Sequence, residues 1–274
     1  MDMDSPPSSV NRNGVSRLRA TLMKKSWIGF DLDDTLHEFR RASSAAVSKV
    51  LAEISERYGT PVPALREEYT KILQTSTANA FSDGKTSFHY RTERFRLLLD
   101  KFFLPHDAEL MNQLLESYEA TLVANLELKC GAQGLLSTIK SMGKKIMVIT
   151  EGPQDAQERA VDALGIRSYI DFLATTNRFG ASKRDGLFSR VLEHLGISSG
   201  DMAYIGDSEQ RDMQPAMAEG IISIHLAEGK SVSLDSCPPR VNTLRELQHI
   251  LLAAGDGGTS DMSYSSLATL SQHH

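Results

Sequence analysis

The sequence predicts an α/β fold, a doubly wound parallel sheet into which an all-helical domain is inserted. A short apolar run within residues 27–36 ends in a cluster of acids, which is typical of a buried strand and its exposed carboxyl end. From about residue 42 to 128, apolar residues recur at helical spacing and no β-rich run is found. From about Cys130, short β-branched runs alternate with helical stretches, which indicates right-handed βαβ crossovers and a sheet covered on both faces.

The acids that follow the first apolar run are Asp31, Asp33 and Asp34. Because side chains alternate along an extended segment, residues two apart point in the same direction, so Asp31 and Asp33 can address one reacting centre. An Asp-rich turn that caps the next helix is the alternative interpretation, since Asp and Thr are common in turns and at helix N-caps. These residues alone favour neither interpretation.

The inserted block is predicted to contain four helices. In the first, apolar residues recur at helix spacing from Val47 to Ile54, and the glycine and proline within 59–61 end it. The other three are predicted at about 64–77, 88–103 and 107–126.

After the block, predicted helices and strands alternate. The strands are predicted at 145–150, 172–175, 203–206 and 221–224, and the helices at 132–141, 155–164, 186–195, 212–218 and 244–252. The α/β core is therefore expected at 25–38 and 129–254, and the helical domain at 39–128. Residues 1–24 lack apolar periodicity and are expected to form a disordered leader, although a short amphipathic helix from Arg17 to Lys25 is an alternative. The Gly/Ser-rich segment 255–274 is expected to be a flexible tail.

Composition excludes several classes of function. The 274 residues are 41% hydrophobic and 24% charged with a net charge of -5, and no basic, aromatic-rich stretch predicts nucleic-acid binding. Neither a signal peptide nor a run of membrane-spanning length is found, so no membrane partner is expected. Cys130 and Cys237 lie far apart without a metal-ligand pattern, which argues against zinc and favours a reducing, cytoplasmic location. The oligomeric state cannot be predicted from these features.

The second predicted strand of the core also ends in polar groups. In open parallel sheets, ligands sit outside the carboxyl ends of the strands. Thr150 ends this strand and is followed by Glu151 and Gly152, so a hydroxyl and backbone N–H groups are available to an anion.

Three charged residues are predicted at the same edge of the sheet. Asp207 and Asp212 follow another strand, and Lys183 precedes a helix. Clustered acids repel one another unless a cation lies among them, and Mg²⁺ favours a few carboxylates together with phosphate oxygens. Phosphoryl transfer fits this set, because its catalysis consists mostly of positioning and neutralisation of charge.

Together these residues resemble the motifs of the haloacid dehalogenase-like hydrolase superfamily. Residues 31–35 resemble its DxDxT motif, Thr150 its second motif, Lys183 its third, and residues 206–212 its GDxxxD motif. The resemblance spans about residues 27–252 and implies a Rossmann-like core. The helical block occupies the position of the family's type-1 cap, and the interval from Phe172 to Lys183 is too short for the other large cap.

This resemblance implies a Mg²⁺-dependent phosphatase that acts on a small phosphorylated metabolite. It implies Asp31 as the nucleophile that forms an aspartyl-phosphate, Asp33 as general acid and base, Thr150, Glu151, Gly152 and Lys183 as phosphate-binding residues, and Asp31, Asp33 (through its backbone carbonyl), Asp207 and Asp212 as the metal site. Dehalogenating members lack the second acid, because a halide leaves without a proton. The presence of Asp33 therefore favours ester hydrolysis.

Two positions depart from the family pattern. Glu151 replaces a frequent asparagine, and Arg184 stands where proline is common. Neither change removes a required charge, but Glu151 can alter the phosphate loop or the mouth of the site. The candidate substrate contacts in the helical block are Arg40, Arg41, Phe81, His89, Tyr90, Arg91 and Arg94.

Two alternative functions stay open at this point. One is a phosphomutase on the same scaffold, and the other is a non-catalytic regulatory binding protein of the same fold. Sugar phosphates, phosphoglycolate, nucleoside monophosphates and prenyl or other specialised-metabolite phosphates are all compatible substrates.

Overall fold

Six parallel strands form the central sheet in a computed structural model that describes residues 12–76 and 81–253. The strands are β1 (Trp27–Phe30), β2 (Lys145–Thr150), β3 (Phe172–Thr175), β4 (Met202–Gly206), β5 (Ile222–Leu226) and β6 (Arg240–Val241). Their order is β3-β2-β1-β4-β5-β6, and every pair is parallel. The chain thus builds one half of the sheet and then returns to the other side of β1. The carboxyl ends of β2, β1 and β4 meet where the direction changes, which is where open α/β sheets bind ligands.

Alternation along the central strands divides the core between the two faces of the sheet. In β1, Ile28 and Phe30 pack in one hydrophobic cluster and Trp27 packs in the other. In β4, Ile205 joins the first cluster and Tyr204 the second. Because successive side chains point to opposite faces, a strand covered on both sides must be apolar throughout. The predicted doubly wound sheet is confirmed.

Eleven α-helices lie within the described residues. They are α1 (Arg12–Met23), α2 (Phe39–Tyr58), α3 (Val62–Ser76), α4 (Ser87–Lys101), α5 (Ala108–Ala124), α6 (Ala132–Ser141), α7 (Gln154–Ala163), α8 (Thr176–Phe179), α9 (Leu187–Leu195), α10 (Gln214–Ala218) and α11 (Leu244–Leu252). None of the helices in this part of the chain has both the length and the apolar character needed to cross a bilayer.

The helical block between β1 and α6 has a hydrophobic core of its own. It consists of α2, α3, α4 and α5, and its fully buried side chains include Leu51, Leu65, Phe95 and Leu98. Two antiparallel stretches join the block to the sheet, since Glu38 N–H donates to the Glu127 carbonyl at 2.9 Å and Lys129 N–H donates to the Leu36 carbonyl at 2.9 Å. The predicted inserted helical domain is therefore present, while its limits at 39 and 128 stay a prediction.

The prediction of a disordered leader is wrong for residues 12–23, which form α1. Leu18 and Leu22, one helical turn apart, are buried in the core cluster, and Lys144 Nζ donates to the Met23 carbonyl at 2.9 Å. Val15 packs against the same cluster, but three apolar residues among polar ones are a weak signal in sequence. α11, which contacts α1, supplies part of the surface that they cover. Residues 1–11 and the predicted tail 255–274 lie outside the described residues.

Smaller differences concern short elements. β6 has two residues and α8 has four, and neither was predicted because such short segments carry no periodicity. The helix expected from residue 212 is preceded by a π-helical turn at Glu209–Met213. That turn contributes directly to the site.

Candidate active site

A cavity of about 880 Å³ lies between the carboxyl edge of the sheet and the helical block. Its sheet side carries Asp31, Asp33, Thr150, Lys183 and Asp212, and its helical side includes Tyr69, Arg94 and Tyr118. Small-molecule sites typically enclose roughly 300–1,000 Å³. The cavity therefore has the size of a metabolite site, and both parts of the protein line it.

Lys183 lies between two carboxylates at the floor of this cavity. Its Nζ is 2.6 Å from Asp31 Oδ1 and 2.5 Å from Asp212 Oδ1, and all three side chains are buried. Burial alone would lower the pKa of Lys183, but Asp212 and Asp31 raise it above its ordinary value. Lys183 is therefore a cation at neutral pH, fixed beside Asp31.

The turn after β4 positions Asp212. Asp212 Oδ2 accepts a hydrogen bond from Ser208 N–H at 2.9 Å, across the π-helical turn. A Cβ atom at Gly206 would lie 2.5 Å from Asp212 Cγ, so only glycine leaves room for this approach. The glycine of the fourth motif thus allows the acid to fold back against the strand end.

Tyr204 lies beneath Asp212 and was not predicted as part of the site. Its hydroxyl is 3.1 Å from Asp212 Oδ1 and 2.9 Å from the Ile149 carbonyl. Burial, reinforced by the charge of Asp212, raises the pKa of the Tyr204 hydroxyl well above its ordinary value. The phenol therefore stays neutral and donates to one of these two acceptors.

Asp31, Asp207 and Asp212 together fit a divalent metal ion. Their carboxylate oxygens lie within 4.8 Å of one another. Asp207 Oδ1 is buried and has no hydrogen-bond donor within residues 12–76 and 81–253. Burial raises the pKa of both Asp31 and Asp207, because their charge is poorly solvated here. An all-oxygen donor set of this kind suits a hard cation such as Mg²⁺.

The carboxylate of Asp33 points away from this acidic group. Its Oδ1 lies 2.9 Å from His37 Nε2, and its Oδ2 accepts from Gln157 Nε2 at 3.4 Å. His37 and Gln157 were not predicted. His37 lies four residues after Asp33, so proximity in the chain was a usable signal, whereas nothing in the sequence placed Gln157 of α7 beside Asp33.

The loop after β2 surrounds Thr150. The Thr150 hydroxyl is buried and donates to Gln157 Oε1 at 3.3 Å. Gly152 has a φ of +153°, which favours glycine, and a Cβ there would also lie 2.7 Å from Gln157 Nε2 and displace that side chain. Glu151 Oε1 accepts from the backbone N–H of Lys183 at 3.0 Å. The acid that departs from the family pattern thus holds the turn that presents the lysine.

Both the sequence and the fold of the chain are similar to those of known proteins. The model of the haloacid dehalogenase-like hydrolase family matches residues 28–226, which is more than half of the chain. The chain belongs to this family. The predicted family and the assignment to the hydrolases are confirmed.

Relatives of this hydrolase are similar along most of their length. A glyceraldehyde 3-phosphate phosphatase of Methanocaldococcus jannaschii is 24% identical over 226 residues, which cover 81% of this chain and 93% of the relative. A ribulose-1,5-bisphosphate 5-phosphatase of Halopiger xanaduensis is 22% identical, with 83% of this chain and 95% of the relative covered. The magnesium-bound hydrolase YfnB of Bacillus subtilis has the same fold, with a TM-score of 0.64, 21% identity and coverage of 84% of this chain and 100% of that one.

Five of the seven candidate contacts in the helical block of this hydrolase line the cavity. They are Arg40, Phe81, Tyr90, Arg91 and Arg94. Arg41 instead pairs with Glu127, and His89 is exposed with its ring against Tyr90. The sequence could not separate the two groups, because helical arginines and aromatics have the same pattern on either face.

Proposed function

We propose that the protein is a Mg²⁺-dependent phosphatase that hydrolyses a small organic phosphate monoester, acts in the cytoplasm and needs no nucleic-acid partner. The observation that carries the proposal is the position of Lys183, whose Nζ lies 2.6 Å from Asp31 Oδ1. The lysine leaves the second carboxylate oxygen of Asp31 free to react. It also places positive charge where three phosphoryl oxygens would accumulate negative charge.

Asp31 would attack phosphorus. A bond forms between its carboxylate oxygen and phosphorus, while the bond from phosphorus to the leaving oxygen breaks. Lys183, the Thr150 hydroxyl and the N–H groups of Glu151 and Gly152 would bind the phosphoryl oxygens. The result is an aspartyl-phosphate and the free alcohol.

Asp33 would move the proton. In its acid form it gives a proton to the leaving oxygen, and as the carboxylate it later accepts one from the water that attacks the aspartyl-phosphate. Its contacts with His37 and Gln157 support this role, since they hold the carboxylate apart from Asp207 and Asp212. As the water oxygen bonds to phosphorus, the bond from phosphorus to the Asp31 oxygen breaks and orthophosphate leaves, so both acids return to their starting states.

Asp31, Asp207, Asp212 and the backbone carbonyl of Asp33 would hold Mg²⁺, which supplies positive charge to the phosphoryl oxygens. The helical block would act as a type-1 cap that covers the cavity and excludes water. The names of the two archaeal relatives, both phosphatases of small phosphorylated sugars, support a substrate of this class.

The experiment is a measurement of orthophosphate release from a panel of phosphate monoesters, with Mg²⁺ or with EDTA. We expect release with Mg²⁺, loss of release with EDTA, and at least about a thousandfold loss in Asp31→Asn and Asp207→Asn. Acid quenching with ³²P-labelled substrate should leave hydroxylamine-sensitive label on the wild-type chain and none on Asp31→Asn.

Asp201→Asn is the matched control, because Asp201 pairs with Ser198 in the turn before β4, at the opposite edge of the sheet. Its activity should equal that of the wild type. Isomerised sugar phosphate without orthophosphate would indicate a phosphomutase instead. Binding of phosphate esters with neither product would indicate a non-catalytic protein.

A further inference from the structure

Arg94 brings a positive charge into the cavity, and no acid of the described residues forms a salt bridge with it. It lies on α4 and lines the cavity shared with Asp31 and Lys183. Its Nε and Nη2 atoms are buried and donate to no group within residues 12–76 and 81–253. The residue as a whole is half-buried, and its guanidinium also hydrogen-bonds to the Tyr69 hydroxyl. Buried N–H groups without an acceptor are costly, so the two unpaired nitrogens call for a partner.

Two other arginines that line the cavity, Arg91 and Arg159, are already paired with acids. Arg91 Nη1 binds Glu119 Oε2, and Arg159 Nε binds Glu119 Oε1 at 2.8 Å. Arg159 also binds Asp155 Oδ2 at 2.9 Å. Two arginines and two acids therefore neutralise each other at the contact between the helical block and α7. Within the described residues, Arg94 has no such acid.

The residues around Arg94 are aromatic and neutral. The guanidinium lies near the Tyr69 and Tyr90 hydroxyls, and both tyrosines line the cavity. Burial raises the pKa of Tyr69 above its ordinary value although Arg94 opposes the shift, so its hydroxyl stays protonated. The Tyr90 hydroxyl donates to Asp83, and Lys85 neutralises this acid at 3.0 Å. Arg94 therefore keeps a positive charge that can attract an anion.

We propose that Arg94 binds a second anionic group of the substrate, a carboxylate or a second phosphate, away from the phosphate that is hydrolysed. The planar fork of a guanidinium matches the oxygens of both groups. The inference rests on the proposed function, because Lys183 and the loop after β2 are taken to hold the reacting phosphate. It narrows the substrate class to phosphate monoesters that carry a further negative charge.

Matched substrate pairs test this inference. 3-Phosphoglycerate differs from glycerol 3-phosphate by a carboxylate, and fructose 1,6-bisphosphate differs from fructose 6-phosphate by a second phosphate. We expect the wild type to prefer the more charged member of at least one pair, and the pair concerned identifies the anion. In Arg94→Gln, the ratio of kcat/KM within that pair should fall about ten- to a hundredfold, mainly through KM.

Arg96→Gln is the matched control, because Arg96 lies on the same helix and its exposed side chain pairs with Asp100. Its ratio should equal that of the wild type. Arg94→Lys keeps the charge without the fork and should recover part of the preference. Thermal unfolding should show Arg94→Gln to be about as stable as the wild type, because the loss of the hydrogen bond to Tyr69 is offset by removal of two buried N–H groups without acceptors.

Different results separate failure of the proposed function from failure of the inference about Arg94. A wild type that releases phosphate from no ester of the panel contradicts the proposed function together with the inference, whereas one that hydrolyses other esters but neither pair contradicts the inference alone. A wild type that hydrolyses both pairs without a preference, or an Arg94→Gln variant with an unchanged ratio, contradicts the role of Arg94 alone. An Arg94→Gln variant that is less stable and loses activity equally on both members would make Arg94 a structural residue.

Discussion

The Nε2 atom of His37 lies 2.9 Å from Oδ1 of Asp33, and the imidazole is completely buried. His37 Nδ1 has no partner in the described part of the chain, so the contact with Asp33 is the polar interaction that orients the ring. Phe39 packs edge-on against the ring at 6.0 Å between centroids. Asp33 is thereby held in one direction by a rigid neighbour, as its proposed role in proton transfer would require.

Replacement of this histidine should therefore reduce turnover. In His37→Phe, the ring volume is kept and the hydrogen bond is lost, so we expect kcat to fall about ten- to a hundredfold with little change in KM. His37→Gln retains a donor and should recover most of the loss. Steady-state kinetics on a phosphate monoester measure both constants. Equal kcat values in His37→Phe and the wild type would contradict a positioning role.

Lys183→Met should affect both activity and stability. The change leaves two buried carboxylates, Asp31 and Asp212, without their common cation, and breaking a buried pair in this way costs about 3–5 kcal/mol. Phosphate release should fall at least about a thousandfold. Urea unfolding in EDTA measures the free energy, and Mg²⁺ should restore part of it. Lys71→Met, which removes an exposed pair with Glu67, should change neither quantity appreciably. Unchanged stability of Lys183→Met would contradict the buried-pair interpretation.

Asp155, at the contact between α7 and the helical block, should make the stability of the folded protein depend on pH. Its Oδ1 accepts from Ser87 N–H at 2.9 Å, its Oδ2 from Ser87 Oγ at 2.7 Å, and Arg159 pairs with it. Burial opposes ionisation of Asp155, but the hydrogen bonds from Ser87 and Arg159 outweigh it and lower the pKa of the carboxyl. The ionised acid therefore stabilises the folded protein.

A group with a lowered pKa contributes stability above its ordinary pKa, and the contribution is lost as the pH falls through the lowered value. Asp155→Asn should thus be less stable than the wild type by about 1–3 kcal/mol at pH 7. The difference should shrink below about pH 4, where Asp is protonated in the unfolded chain. Urea unfolding across this range measures it. A difference that grows towards low pH would contradict the assignment.

Leu22→Ala tests whether α1 belongs to the core. The Leu22 side chain is 1% exposed and packs in the hydrophobic cluster that covers one face of the sheet. Removal of a buried leucine typically costs about 2–5 kcal/mol, so the midpoint of thermal unfolding should fall clearly. Met23→Ala, at an exposed neighbour, is the control and should have little effect. Equal stability of both variants would contradict the conclusion that α1 belongs to the hydrophobic core.

Much of the fold could be predicted because its signals are local. The apolar run before Asp31, the β-branched run 145–150 and the periodic helices each carry their own pattern, and parallel connection follows from their alternation. The motif residues were predictable for the same reason, since the acids and Thr150 lie at or just after strand ends and Lys183 precedes a helix. α1 was missed because two buried leucines among polar residues do not form a clear pattern without a partner surface.

The sequence by itself determined which reactive groups reach the carboxyl edge of the sheet, because strand ends and motif spacing are properties of the chain. Only the tertiary structure decided how they pair. Lys183 lies between Asp31 and Asp212, Asp33 contacts His37, and Arg94 lies in the cavity without a paired acid among the described residues. These contacts join residues that lie far apart in sequence or whose side-chain directions depend on packing. Neither composition nor periodicity carries that information.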